Sequence, residues 1–239
     1  MPDFFVIARV VGSDEALPKV CNPKYQDLVL DSFELLADCE RCLLQWKERV
    51  VALCEVSATE PYSTSYYWGH DVDGEPDTLW GLEGYGHAIG FFIGHPASEV
   101  FKQEMKKVDD GKLLRHVQGL GSPDYDLHYY DFYDGFLTRV DDQYKDARDS
   151  FVVILHFWAQ EGRRKELIQA LAAGADRVKK SETQGAVTVQ SFAVLKECLD
   201  VQMASVYIRT RTVQAWEALQ TSSLFKDIFD RARQLAVKN

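Results

Sequence analysis

Near the end of the chain, Ser222-Ser223-Leu224-Phe225-Lys226 restates Ser98-Glu99-Val100-Phe101-Lys102 at a spacing of 124 residues, and the segments ahead of each copy match at nearly the same spacing. A chain that repeats itself at a fixed offset is built from two copies of one supersecondary unit. The second copy is the clearer one. Phe151 to Ala159 reads as a strand, Glu161-Gly162 as a turn, and Arg163 to Lys180 as a helix with the apolar stripe Leu167, Leu171, Ala175 and Val178. Two strands follow, Ala186 to Leu195 and Val201 to Arg209. A helical stretch, Val213 to Ala236, is then interrupted at Thr221-Ser222-Ser223. The order is β-α-β-β-α.

The first copy shows the same order over residues 1–108. Cys39, Leu43, Trp46, Val50, Leu53 and Ser57 recur at helical steps, and Glu60-Pro61 stops that helix because proline disfavours the helical region for the residue before it. Tyr62 to Gly69 and Thr78 to Tyr85 read as a hairpin, and His87 to about Val108 as a helix broken near Pro96. Two segments compete for the first strand. Leu28 to Leu36 keeps the repeat spacing constant and is favoured, with Phe4 to Val11 as an added strand; the rival reading makes Phe4 to Val11 the first strand and Gly12 to Leu36 an insertion. Residues 109–149 form a linker rich in aromatic and acidic residues, expected to pack its rings on the protein surface, and residues 150–239 are the second repeat.

Composition excludes several function classes. With 46% apolar residues in 239, the chain can bury a core without staples, and a formal charge of -10 spread along it argues against nucleic acid or an anionic membrane as partner. No charged-then-apolar leader opens the chain, and no apolar run nears the roughly 18 residues that cross a bilayer, so a cytoplasmic location is expected. Of the five cysteines only Cys39 and Cys42 are closely spaced, within a helix, which suits a structural role. The six histidines show no metal-ligand spacing; His87 and His95 stand eight apart across the Pro96 break. No metal, haem, flavin or nicotinamide is expected.

Glu83-Gly84-Tyr85, Phe91 and Ser98-Glu99-Val100-Phe101-Lys102, echoed by Arg209, Trp216 and Ser223-Leu224-Phe225-Lys226, resemble the antibiotic biosynthesis monooxygenase-like family of the dimeric α+β barrel superfamily. In that pattern an acidic residue and a tryptophan close the third strand. Tyr85 stands for the tryptophan in the first copy, and Arg209 or its neighbour Ile208 in the second. The resemblance implies an α+β fold of two ferredoxin-like β-α-β-β-α repeats that close on each other as an intramolecular, pseudo-dimeric barrel. A monomer or weak homodimer would follow, because an uncovered sheet face would otherwise stay apolar and wet. It also implies a cofactor-independent enzyme of secondary metabolism on an aromatic or polyketide-like small molecule, foremost an oxygenase. The haem-degrading branch carries an axial histidine on the broken helix, where this chain has Glu104-Met105, so no haem site is implied.

Candidate site residues gather in the first copy. His87, Tyr85 and His70 are the catalytic candidates, with His87 as the base at a helix start and the Tyr85 hydroxyl bonding a carbonyl or phenol oxygen. Tyr67, Trp68, Trp80, Phe91 and Glu83 would line the substrate pocket, and Gly81, Gly84, Gly86, Gly90 and Gly94 would leave room for a flat ligand. The equivalent strands of the second copy carry Val187, Val189, Phe192, Val194, Met203 and Val206, which suit a core; His156 and Arg209 are the candidates there. Other readings stay open: aromatic residues suit strands in any case, and the same equipment serves a cyclase, isomerase or decarboxylase. A non-catalytic binding module would differ in having no ionisable group in its pocket.

Overall fold

The computed structural model describes residues 4–13, 37–73, 78–140, 142–145, 147, 149–181 and 189–238. They belong to two compact units, Met1–Tyr129 and Tyr130–Asn239. Unit 1 contains β1 (Phe4–Val11), α1 (Ala37–Ser57), β2 (Ser63–His70) and β3 (Thr78–Tyr85). A π-helical turn (Gly90–Gly94) then runs into α2 (His95–Ala97) and α3 (Glu99–Asp110), and β4 (Tyr125–Phe136) crosses the unit boundary. Unit 2 continues with β5 (Phe151–Ala159), α4 (Arg164–Ser181), β6 (Val189–Glu197), β7 (Met203–Thr210), α5 (Val213–Thr221), α6 (Ser223–Leu235) and β8 (Ala236–Lys238). Each unit thus contains the β-α-β-β-α succession of a ferredoxin-like α+β fold.

In unit 1 the antiparallel order is β2-β3-β1, and in unit 2 it is β4-β6-β7-β5-β8. β1 lies on β3 from Phe4↔Tyr85 to Val11↔Thr78, as β5 lies on β7 from Phe151↔Thr210 to Trp158↔Met203. Phe4–Val11 therefore holds the first-strand position, the place the repeat spacing had favoured for Leu28 to Leu36, a stretch outside the described residues. Hydrogen-bond partners decide which strand is first, and spacing along the chain does not constrain them. Alternation puts one side of each strand against helices: Val10 and Leu79 pack with Trp46 of α1 and Val108 of α3. Trp46 also donates its indole N–H to the Leu113 carbonyl at 3.2 Å.

The repeated Ser-x-x-Phe stretch is a helix break with its own cap. Ser98 (φ -64°, ψ 143°) and Ser222 (φ -66°, ψ 147°) are both extended, and each Oγ accepts the backbone N–H of the phenylalanine three residues on, Phe101 or Phe225. Such a cap contributes about 1 kcal/mol. It ends one helix and starts the next in both units.

The aromatic linker contains a strand. β4 pairs with β6 from Tyr130↔Glu197 to Phe136↔Phe192, with a register shift between Phe132 and Asp134. Gly135, just beyond the shift, has φ 102°, and a Cβ there would run into the Phe192 carbonyl oxygen, so no other residue fits. Beyond β4, Asp142 meets Arg209 of β7 at 2.6 Å, with only 2% and 9% of the two side chains exposed. Arg209 also donates to Ser191 Oγ at 3.1 Å. It fastens the linker to the sheet, where the sequence had offered it as a cavity residue. Asp142→Ala would leave the guanidinium enclosed and unpaired, and should cost about 3–5 kcal/mol, read as a lower urea midpoint. Asp149→Ala, at the exposed Arg211–Asp149 pair, should leave that midpoint nearly unchanged.

Candidate functional site

The register allows the two units to be compared position by position on the helix-facing side of the sheet. Tyr66 opposes Glu83 and Trp68 opposes Gly81 across β2 and β3, whereas Phe192 opposes Ile208 and Val194 opposes Val206 across β6 and β7. Phe192, Val194, Val206 and Ile208 all lie in the apolar core of unit 2. Tyr66, Trp68 and Glu83 thus place polar and ionisable groups where the companion unit has hydrocarbon. Burying polar groups costs free energy unless they are paired, so core packing alone does not account for them.

Glu83 is 5% exposed and Tyr85 is fully buried. The Tyr85 hydroxyl donates to Glu83 Oε2 at 2.9 Å. Burial raises the Glu83 carboxyl above its ordinary range, more than His95, Tyr85 and Tyr66 lower it, and Glu60 pushes it further up. The Tyr66 hydroxyl is pushed well up, by its enclosure first and then by Glu83 and Tyr85. Burial also raises the Tyr85 hydroxyl, assisted by Glu83.

The nearby wide turn brings in a second pair. The His95 backbone N–H bonds the Gly90 carbonyl across the π-helical turn, a geometry frequent at functional sites. The His95 ring, 1% exposed, sets Nδ1 at 2.9 Å from both Glu60 carboxylate oxygens. It lies 5.5 Å from the Tyr66 ring and 5.0 Å from Phe101. Its Nε2 is enclosed and has no hydrogen-bond partner among the described residues. Glu60 in turn lines an open pocket of about 420 Å³, together with Val56, Tyr62, Gly90 and Ile93. That volume is within the usual range for small-molecule sites. Ile89, Ile93 and Tyr62 at this pocket are 40%, 62% and 48% exposed, which gives it an apolar rim.

Of the residues that the sequence singled out, Tyr85, Glu83, Trp68 and Phe91 lie on the helix side of β2 and β3, and Phe91 meets the Tyr85 ring edge-on at 5.8 Å. His87 does not join them. Two residues beyond the end of β3 it is exposed, and its Nδ1 accepts the Ile89 N–H at 3.1 Å, so the expected Tyr85–His87 pair is absent. His70 is at the far end of β2, opposite Leu79, while Ser63 is the residue opposite Tyr85. Tyr67 is exposed and Trp80 turns to the other face, where its N–H donates to Asp71 at 2.8 Å. The glycines leave less room than expected. A Cβ at Gly81 would strike the Trp68 ring at 2.5 Å, and one at Gly90 would strike Tyr62 at 2.7 Å and Tyr85 at 2.8 Å. The protein's own rings occupy that space. Glu104 is buried against Arg49 at 3.0 Å.

Glu60 and His95 are the site residues that sequence reasoning passed over, whereas Tyr66 stands among the pocket-type residues of the first hairpin. Glu60 and His95 are 35 positions apart and each precedes a proline, so both read as helix punctuation. Among the described residues no cluster of three or more His, Cys, Asp or Glu is placed to hold a metal ion, and no helix is long and apolar enough to cross a membrane.

No protein-family model and no curated protein sequence matches the chain. Solved structures do. A candidate monooxygenase of Fusobacterium nucleatum superposes with a TM-score of 0.66 at 9% identity, covering 99% of this chain and 88% of that one. The fold is theirs. A second candidate monooxygenase, of Lactobacillus acidophilus, gives 0.65 at 7% identity over 100% of this chain and 90% of its own. An anthrone oxidase-like protein gives 0.59 at 15% identity over 100% and 88%. The chain therefore shares the α+β fold of these structures along its whole length.

The raised Glu83 carboxyl has a stability consequence. Between the ordinary value of 4.5 and its higher folded value, the folded state holds a proton that the unfolded state has lost, so stability falls as pH rises through that window. Urea unfolding across this range should show that decline in the wild type and a flatter profile in Glu83→Gln. Identical slopes would mean that Glu83 is not held protonated.

Proposed function

We propose that the chain is a cofactor-independent, monooxygenase-type enzyme that oxidises an aromatic, polyketide-like small molecule in the unit 1 pocket, with the Glu60 carboxylate as base. The observation that carries this reading is the Glu60–His95 pair at an apolar-rimmed pocket, backed by Glu83 and Tyr66 where unit 2 has the core residues Ile208 and Phe192. A binding module would have no use for an ionisable pair held at such a cost in burial. The family resemblance supplies the absence of a cofactor, and the anthrone oxidase-like neighbour suggests the substrate class.

The chemistry balances with oxygen alone. A methylene group between two aryl rings and opposite a carbonyl is acidic, and Glu60 takes one of its protons. The carbanion gives an electron to dioxygen, the radical pair combines to a peroxide, and the peroxide takes a proton. It then loses water, so that one methylene and one dioxygen become one ketone carbonyl and one water. The protein has to bind the flat ring system, keep water away and hold the base. Repetition of the element order and of the Ser-x-x-Phe cap supports descent of both units from one duplicated ancestor. The molecule is taken to act in the cytoplasm, as a monomer or weak homodimer.

Oxygen uptake with an anthrone as probe tests the reading. Glu60→Gln should lower the rate by about 100- to 10,000-fold, the usual cost of losing a positioned base. His87→Ala, His156→Ala and Arg209→Ala should leave the rate of the folded protein close to wild type. Loss of turnover in His87→Ala with Glu60→Gln intact would assign the base to His87 instead. Product formed without oxygen uptake would favour a cyclase, isomerase or decarboxylase.

A further inference from the structure

Two glycines of the wide turn line the Glu60 pocket, and the structure gives them different reasons for being there. Gly90 is required by packing, because a Cβ would strike Tyr62 at 2.7 Å and the Tyr85 ring at 2.8 Å. Gly94 is not. Its backbone is right-handed helical, with φ -71° and ψ -70°, which any L-residue with a free N–H adopts without strain. The nearest atom that a Cβ there would meet is the Ile89 carbonyl oxygen at 3.7 Å, an ordinary contact distance. Neither backbone conformation nor a neighbouring atom asks for glycine at this place. Glycine in helical structure is a liability, since it gives up more conformational freedom on folding than alanine does. At the wall of a pocket such a residue is accounted for by what it leaves free, which is room for a ligand to lie against bare backbone.

The surroundings say what kind of ligand that is. Gly94 directly precedes His95, whose Nδ1 is 2.9 Å from both Glu60 carboxylate oxygens, and Gly94 and Glu60 line the same pocket. Ile89 and Ile93, on the same turn, are 40% and 62% exposed and supply apolar contact beside the bare backbone. Among the described lining residues Glu60 carries the only charge, so the wall offers an anion no counter-charge. A ligand whose reacting carbon reaches Glu60 while its ring edge extends over Gly94 must be broad and flat; a smaller ring reaches Glu60 without needing the space at Gly94. Resting on the pocket assignment above, we propose that Gly94 is the specificity-determining residue of the site: its missing side chain admits a broad, flat, uncharged ring system beside Glu60, and any side chain there would restrict the pocket to smaller rings.

Calorimetric titration of the full chain with two ketones, the three-ring anthrone and the two-ring α-tetralone, tests the assignment without any need for turnover. Gly94→Ala should weaken anthrone binding about tenfold and Gly94→Val about 100-fold, the range that small changes in side-chain bulk command in an apolar pocket, while α-tetralone changes by less than about threefold. Gly94→Ala should at the same time raise the urea midpoint, because alanine suits helical structure better. Anthrone affinity unchanged in both variants, or equal losses for both ketones, overturns the proposal. So does a lowered midpoint or failed folding in Gly94→Ala, since the fold itself would then need the glycine. The wild type supplies a check that needs no variant: nuclear Overhauser contacts between the Gly94 Hα protons and the rings of bound anthrone are expected, and their absence overturns the proposal. Base and glycine fail separately. Oxygen uptake that Glu60→Gln abolishes and Gly94→Val leaves intact would keep the base and overturn the glycine; anthrone binding that Gly94→Val abolishes, with no oxygen uptake by the wild type, would support the glycine and end the oxygenase reading.

Discussion

In unit 1 everything depends on β3 being a middle strand. With β1 on one edge and β2 on the other, its helix-facing residues have no sideways route to water, and α1 with α3 closes them from above. A carboxyl placed there must be neutral or partnered, since an isolated buried charge is far too costly. Glu83 is both raised towards neutrality and hydrogen-bonded. Unit 2 solves the same enclosure with Val206 and Ile208 at the equivalent positions. Both solutions occur in one chain on closely similar frameworks, and the difference between them is the reason the proposed site is put in unit 1.

Pocket and buried cluster are two sides of one wall. Gly90 is within van der Waals reach of both Tyr62, which faces the pocket, and Tyr85, which faces the interior. A ligand pressing on the wide turn would therefore press on the Tyr85 ring one layer deeper. The same turn holds His95 against Glu60.

The sequence made much of this legible. The spacing of the Ser-x-x-Phe stretches gave the succession of elements in both units, and the structure explains why: each is a serine cap whose geometry is entirely local. Glu83, Tyr85, Trp68 and Phe91 were legible from the aromatic first hairpin and the family resemblance, but Tyr67 and Trp80 were drawn in with them although strand alternation sends those two to the other face. What failed was whatever depends on partners far along the chain. Phe4–Val11 is the first strand because it bonds β3, and no local pattern records that pairing. His87 looked like a partner for Tyr85 by proximity in sequence. The chain leaves its strand after Tyr85, however, so strand alternation no longer says where His87 points, and it lies exposed with its ring nitrogen taken by the Ile89 N–H. Glu60 and His95 meet only in the folded molecule.

The π-helical turn has one more implication, for how proteins of this shape could diverge. Its i to i+5 closure, from the His95 N–H to the Gly90 carbonyl, holds one residue more than an α-helical turn would. Deleting a single residue among Phe91, Phe92 and Ile93 would restore ordinary helical winding and rotate everything that follows by roughly 100° about the axis. His95 would swing off Glu60, although every side chain that forms the pair would still be encoded. Length at this turn therefore acts as a phase setting: homologous chains one residue shorter here should have lost Glu60 and His95 together or found another histidine one position away.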